Sequence, residues 1–132
     1  MTAMLKSGIL NPQINSLLAR VRHTNLLVIA DRGFPYWPQV ETVDISLTDD
    51  IPTVVDVVRA IRDNFVIAQA WMAQEFLQQN EEMVQTKFSE ALRGVPINFL
   101  AHNDLKLRVP QAIGLIRTGD SIQYANVIMQ SG

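Results

Sequence analysis

The sequence predicts an α/β fold: a single domain over residues 1–132, built as a three-layer α/β/α sandwich around a mostly parallel or mixed central sheet. Two observations carry this. Short aliphatic runs without alternation, Leu26–Ala30 foremost, read as strands buried on both faces. Between them lie segments whose apolar residues recur at helical spacing, so strand and helix alternate along the chain. A third observation sets the scale. With 132 residues, 48% apolar and 18% charged, the chain buries roughly two-thirds of its unfolded surface and holds a core without metal or disulfide staples. No repeat, low-complexity tract or Gly/Ser linker offers a place to divide it.

The elements follow in order. Asn11-Pro12 is a helix start, an amide-capping side chain before a proline that costs nothing at the first helical position. Ile14, Leu17, Leu18 and Val21 form that helix's apolar face. Leu26–Ala30 is a strand running into Asp31-Arg32-Gly33 and a stiff aromatic loop, Phe34-Pro35-Tyr36-Trp37-Pro38. A second strand is expected around Val43 to Leu47. Pro52 opens a second helix with Val54, Val55, Val58 and Ile61 inward, and Phe65 to Ala68 is a third strand. Asn80, Glu81 and Glu82 start a third helix that turns Met83, Val84, Phe88 and Leu92 inward and ends at Gly94. Ile97–Leu100 is a strand, and His102 to Gln111 a polar stretch. Ile113–Ile116 and Ala125–Met129 are two further strands, read as a closing pair.

Composition excludes several classes. The absence of cysteine removes disulfides, thiolate zinc, thiol nucleophiles and iron–sulfur ligation, and fits a reducing compartment. Eleven Lys and Arg against thirteen Asp and Glu, with no basic cluster, argue against nucleic acid as a partner. No apolar run approaches the roughly 20 residues that span a bilayer, and Met1–Ser7 lacks a signal-peptide apolar core. No membrane partner is expected. Gly33 and Gly119 stand outside any phosphate-binding glycine motif.

Ligand sites in such sheets gather in loops at strand ends. Three polar segments qualify: His23–Asn25 with Asp31–Pro38, His102–Lys106, and Thr118–Asn126. His23 and His102 are not at zinc-motif spacing, so no metal is expected. Each candidate also has a plain structural use. His23 can neutralise a helix C-terminus, Asp31 can form a turn, His102 can begin a short helix, and Tyr124 can be an amphipathic strand residue.

The order of the segments is more specific than any one of them. Ile9-Leu10-Asn11, His23-Thr24-Asn25 and Val28-Ile29-Ala30-Asp31-Arg32-Gly33-Phe34-Pro35 come first; His102 with Lys106 follows; Arg117-Thr118-Gly119-Asp120-Ser121-Ile122-Gln123-Tyr124-Ala125-Asn126 comes last. In this order they resemble the D-ribose pyranase and L-fucose mutarotase family over nearly the whole chain. The Arg-Thr-Gly and Tyr-Ala-Asn segments are closer to the ribose branch.

The resemblance implies a cofactor-free isomerase in the cytoplasm that interconverts ring forms of a free monosaccharide such as D-ribose. His23 is then the acid–base residue, with Asp31, His102, Lys106, Tyr124 and Asn126 lining the sugar site. It also implies a ring-shaped homo-oligomer, a decamer, whose sites are completed across subunits. The chain departs from the family pattern at Asn25, where an acid is usual, at Asp120, where Glu is usual, and at Asp49-Asp50, where the loop normally contains Gly. Arg32 and the Phe34–Pro38 loop add bulk beside the expected site. These departures keep open two alternatives: a non-catalytic sugar-binding or regulatory module, and a purely structural oligomer-forming domain if the Tyr36-Trp37 loop closes the site.

Overall fold

The computed structural model describes residues 8–132; the reading of Met1–Ser7 lies outside them. Helix α1 (Pro12–Arg20) starts as its sequence dictates, with Asn11 Oδ1 accepting the Ile14 amide at 2.9 Å and Pro12 in the first turn. Strand β1 (Leu26–Ala30) follows, then β2 (Thr42–Asp44), shorter than expected. Helix α2 (Val54–Arg62) begins after Pro52 rather than on it. Thr53 supplies the cap, in a reciprocal box with Asp56, and both polar partners lie to the C-terminal side of the proline. Its buried residues are Val54, Val57, Val58 and Ile61, with Val55 half-buried.

Strand β3 (Ile67–Ala73) begins and ends later than the expected Phe65 to Ala68, and passes directly into α3 (Gln74–Gln79), an unanticipated helix. Helix α4 (Glu82–Ala91) buries Phe88 and Ala91, but Met83 is 71% exposed rather than inward. It sits one position before the half-buried Val84, off the stripe that meets α2. Gly94 ends this segment in the left-handed region, φ +81°. After β4 (Ile97–Leu100), the polar stretch is mostly helical: α5 (His102–Arg108) buries only Leu105, and a 3-10 turn (Val109–Gln111) accommodates Pro110. Strands β5 (Gly114–Arg117) and β6 (Val127–Ser131) complete the chain.

The six strands form one sheet in the order β2-β5-β1-β6-β3-β4. All pairings are parallel except those of β6, which lies antiparallel between β1 and β3. Strands β5 and β6 therefore do not pair with each other. Alternate residues of β1 serve the two faces. Leu27 and Ile29 pack into a cluster with α1, α2, α3 and α4; Val28 and Ala30 join Phe34, Val40, Leu105 and Val109 on the other side. The predicted three layers are present, the second thinner and built from α5, the 3-10 turn and the aromatic loop.

Candidate active site

Because β6 runs against its neighbours, its start lies at the same sheet edge as the carboxyl ends of β1, β4 and β5. Three segments meet there: the loop after β1, the start of α5 after β4, and the end of the β5–β6 loop as it enters β6. They line an open pocket of about 280 Å³ bounded by Asp31, Gly33, Phe34, Pro35, His102, Gln123, Tyr124 and Asn126.

Asp31 and Asn126, 95 residues apart, are joined reciprocally. The Asp31 amide donates to Asn126 Oδ1 at 2.8 Å, and Asn126 Nδ2 donates to Asp31 Oδ2 at 3.2 Å. Asp31 Oδ1 also accepts the Gly33 amide at 3.0 Å, tightening the turn. Burial pushes the Asp31 carboxyl above the ordinary carboxylate range, against the pull of these donors. Asn126 is 1% exposed, so its orientation is fixed by this pair.

His102 stands edge-on to Tyr124, ring centroids 5.0 Å apart at 79°, and to Phe34 at 6.0 Å. Its amide donates to both carboxylate oxygens of Glu75, at 3.0 and 3.2 Å. Its Nδ1 is buried and has no hydrogen-bond partner among the described residues. Burial, then the Lys106 charge, lower the imidazole below its ordinary value, while Glu75 and Asp31 act the other way. The neutral ring thus predominates at pH 7. Tyr124 adopts the left-handed region, φ 57°, which turns the chain between the pocket and β6.

The Arg117-Thr118-Gly119-Asp120 segment is scaffold. Arg117 donates to the carbonyls of Asp31 and Pro35, both at 3.2 Å, pinning the aromatic loop. Thr118 Oγ1 donates to the Ala30 carbonyl at 2.8 Å. Asp120 is fully buried and accepts the amides of Val54 at 2.9 Å and Ile122 at 2.8 Å, tying the pocket loop to the start of α2. Burial pushes its carboxyl up. Asp50, in the Asp49-Asp50 loop where the family pattern contains Gly, has φ 65° and accepts the Ser121 amide and hydroxyl at 2.8 and 2.7 Å. Asp is among the residues that tolerate this conformation.

Of the sequence-predicted residues, the structure brings Asp31, His102, Tyr124 and Asn126 together. Lys106 lies one helical turn past His102, outside the pocket lining but near enough for its charge to act on the ring. His23 is not brought in. It is exposed in the turn before β1, where Thr24 donates to the Ser131 carbonyl, at the opposite sheet edge. Five strand residues at about 3.3 Å each place it roughly 17 Å from Asp31 along β1 alone. Sequence order put the two in neighbouring loops; the strand between them separates the ends.

Of the departures, Asn25, Arg32, Asp49, Asp50 and Asp120 lie off the pocket lining, while Phe34 and Pro35 of the aromatic loop form part of its wall. Asn25 Oδ1 accepts the Arg22 amide at 2.7 Å within its own turn. Arg32 turns outward to Asp49 at 2.9 Å. Trp37 packs on Phe34 at 5.1 Å and Tyr36 is 65% exposed, so the loop does not close the site. Phe34, Pro35 and Gln123, within the segments expected at the site though not singled out there, form pocket walls, whereas Glu75 lies in none of those segments. Among the described residues, no three His, Asp or Glu cluster as a metal site, and no helix is long and apolar enough to cross a membrane.

Comparison with known proteins gives a consistent result. The RbsD / FucU transport protein family matches residues 4–132. The D-ribose pyranase of Geobacillus kaustophilus is 38% identical over 129 residues, covering 98% of this chain and 94% of that protein. That of Thermoanaerobacter sp. is 36% identical, covering 98% of both. Among solved structures, Bacillus subtilis RbsD complexed with D-ribose superposes with a TM-score of 0.91 at 32% identity, over 98% of each chain. The fucose mutarotase of Streptococcus pneumoniae in complex with L-fucose has a TM-score of 0.80 at 16% identity, over 100% of this chain and 98% of that one, a likeness of fold.

Proposed function

The chain belongs to the RbsD/FucU family, and from that premise we propose that it is a cofactor-free isomerase interconverting the ring forms of a free monosaccharide, D-ribose first among them. The observation that carries this is the convergence of Asp31, His102, Tyr124 and Asn126 on one small, open pocket. The substrates of the relatives agree with it.

The reaction needs a base to take the anomeric hydroxyl proton and an acid to protonate the ring oxygen. The open aldehyde then recloses through another hydroxyl or on the other face. An imidazole exchanges protons near neutrality, and a positioned proton transfer contributes roughly 100- to 10,000-fold. In this reading Asp31 and Asn126, locked to each other, hold sugar hydroxyls, and His102 and Tyr124 hydrogen-bond or relay protons. The orphaned Nδ1 of His102 supports this, because a buried ring nitrogen left unpaired by the chain calls for a partner from elsewhere. Lys106 tunes His102 and fixes a hydroxyl.

His23 is the acid–base residue only if it serves another subunit's pocket, since it lies at the far edge from its own. We therefore take the assembly to be a ring-shaped homo-oligomer, a decamer, with head-to-tail contacts that bring one subunit's His23 edge to the next subunit's pocket. A cytoplasmic location accords with the lack of cysteine. The non-catalytic alternative drew on Asn25 and Arg32, and neither touches the pocket.

Saturation-transfer NMR on equilibrated D-ribose, then L-fucose, tests the proposal. Exchange between ring-form signals should accelerate with protein and return to the uncatalysed rate with His23→Ala. Binding of sugar without faster exchange would reduce the protein to a sugar-binding module.

A further inference from the structure

Helix α3 touches the pocket lining from outside, at two points. The first follows from register. Ala73 of β3 pairs with Leu100 of β4, and both strands lead into helices. Two residues on from each lie Glu75 and His102, so the parallel pairing delivers them side by side. The Glu75 carboxylate takes the His102 amide with both oxygens. No side chain caps α5 from its own N-cap residue, Ala101, so this contact is the polar anchor of the turn that carries the imidazole. The second point is Asn80, just past the end of α3. Its Nδ2 donates to the Phe76 carbonyl at 2.9 Å within α3 and to the Gln123 carbonyl, also at 2.9 Å. Gln123 immediately precedes Tyr124, the residue in the left-handed region. Phe76, buried between these two contacts and 4.8 Å from Phe88, roots the helix in the core.

We propose that α3 is a brace whose two polar ends, Glu75 and Asn80, set the relative placement of His102 and Tyr124, making both of them positioning residues for the pocket. The edge-on contact of the two rings spans the gap between the two braced segments. The charge of Glu75 adds a second effect. The groups facing the imidazole are Glu75 from α3, Lys106 from α5, Asp31 after β1 and Tyr124 before β6. Of these, Glu75 and Asp31 favour the protonated ring and Lys106 opposes it.

The proposal rests on the ring-opening reading for its kinetic test only. The direct test is an NMR titration of His102 in the sugar-free protein, with ring-current shifts reporting Tyr124, for wild type, Glu75→Gln, Glu75→Ala and Asn80→Ala. Glu75→Gln keeps an acceptor for the His102 amide and drops the charge, so the fold and ring contact persist while the His102 titration moves to lower pH. Asn80→Ala leaves the charges alone, so the ring-current shift changes and the titration moves little. In the exchange assay, Glu75→Ala and Asn80→Ala lower kcat on the order of 10- to 100-fold, the scale of a misplaced reacting group, with a smaller change in KM. A wild-type titration in Glu75→Gln would overturn the charge effect, and a ring-current shift that matches wild type in both Glu75→Ala and Asn80→Ala would overturn the brace, whatever the activity. So would a loss confined to KM. If wild type itself exchanges no sugar, the functional reading fails, and the titration still decides this one.

Discussion

Removal of the Asp120 carboxylate is the most informative single perturbation of this fold. Asp120→Ala leaves the Val54 amide, which opens α2, and the Ile122 amide, which shapes the pocket loop, without acceptors. The site is fully buried, so water does not readily replace them. A hydrogen bond to a charged group contributes about 1.5–3 kcal/mol, and a stranded donor costs about as much, so losing two costs roughly 3–6 kcal/mol. That is a large share of the about 5–15 kcal/mol that holds a domain together. At roughly 3 °C per kcal/mol for a domain of this size, Tm should fall by about 9–18 °C. Asp120→Asn keeps one acceptor and presents an amide group to the other donor, so its loss should be intermediate. Calorimetry or circular dichroism on the three proteins decides it. An Asp120→Ala variant melting within about 2 °C of wild type would mean that these two bonds contribute almost nothing net.

Three further outcomes are expected. His23→Ala and Asp31→Asn variants should each be inactive yet regain exchange when their subunits are mixed, to about a quarter of the wild-type rate for random assembly, because each site then draws its two residues from neighbouring subunits; no recovery would rule out a site shared between subunits. His102 has its folded value below 6.5, so it contributes stability that is present above pH 6.5 and lost as pH falls towards that folded value; denaturant melts of His102→Gln between pH 5 and 7 should show a flatter slope than wild type. A Cβ at Gly119 would meet the Thr48 carbonyl oxygen well inside contact distance and the Ile51 oxygen at 2.9 Å, both backbone. Gly119→Ala should therefore cost about 1–3 kcal/mol or more and loosen the Thr48–Ile51 turn, read as a lower urea midpoint.

Much of the architecture was legible because each signal had a local cause. Asn11-Pro12 caps α1, Leu26–Ala30 is apolar on both faces because both faces are covered, and Gly94 takes the left-handed turn. The failures share a different cause. Strand β3 runs into α3 with no glycine or proline between them, so nothing in the segment marks the change of period. Helix α5 buries a single leucine along its length, too little to leave a stripe. Spacing alone points Met83 inward, whereas the face of α4 is chosen by its contact with α2. Four pocket residues were readable from motif order, yet their meeting depends on β6 running backwards, which periodicity does not encode. The remoteness of His23 is the same point seen from the other edge. Glu75 left no trace in the sequence at all, because its role comes from a pairing register between two strands.

The placement of β6 bears on how this protein must be made. Without it, the sheet is two separate parallel pieces, β2-β5-β1 and β3-β4, with the edges of β1 and β3 open to each other across a gap. On a ribosome, everything up to Asn126 emerges before the strand that joins them. Until that strand is in place the chain holds two unsatisfied inner edges, an aliphatic one at Leu26–Ala30 and a mixed one at Ile67–Ala73. Residues 127–131 then close the sheet in one late, long-range step, the kind that is slow and exposed to wrong pairing. A full-length chain in which residues 127–131 have not yet paired exposes both open edges, a natural target for a chaperone.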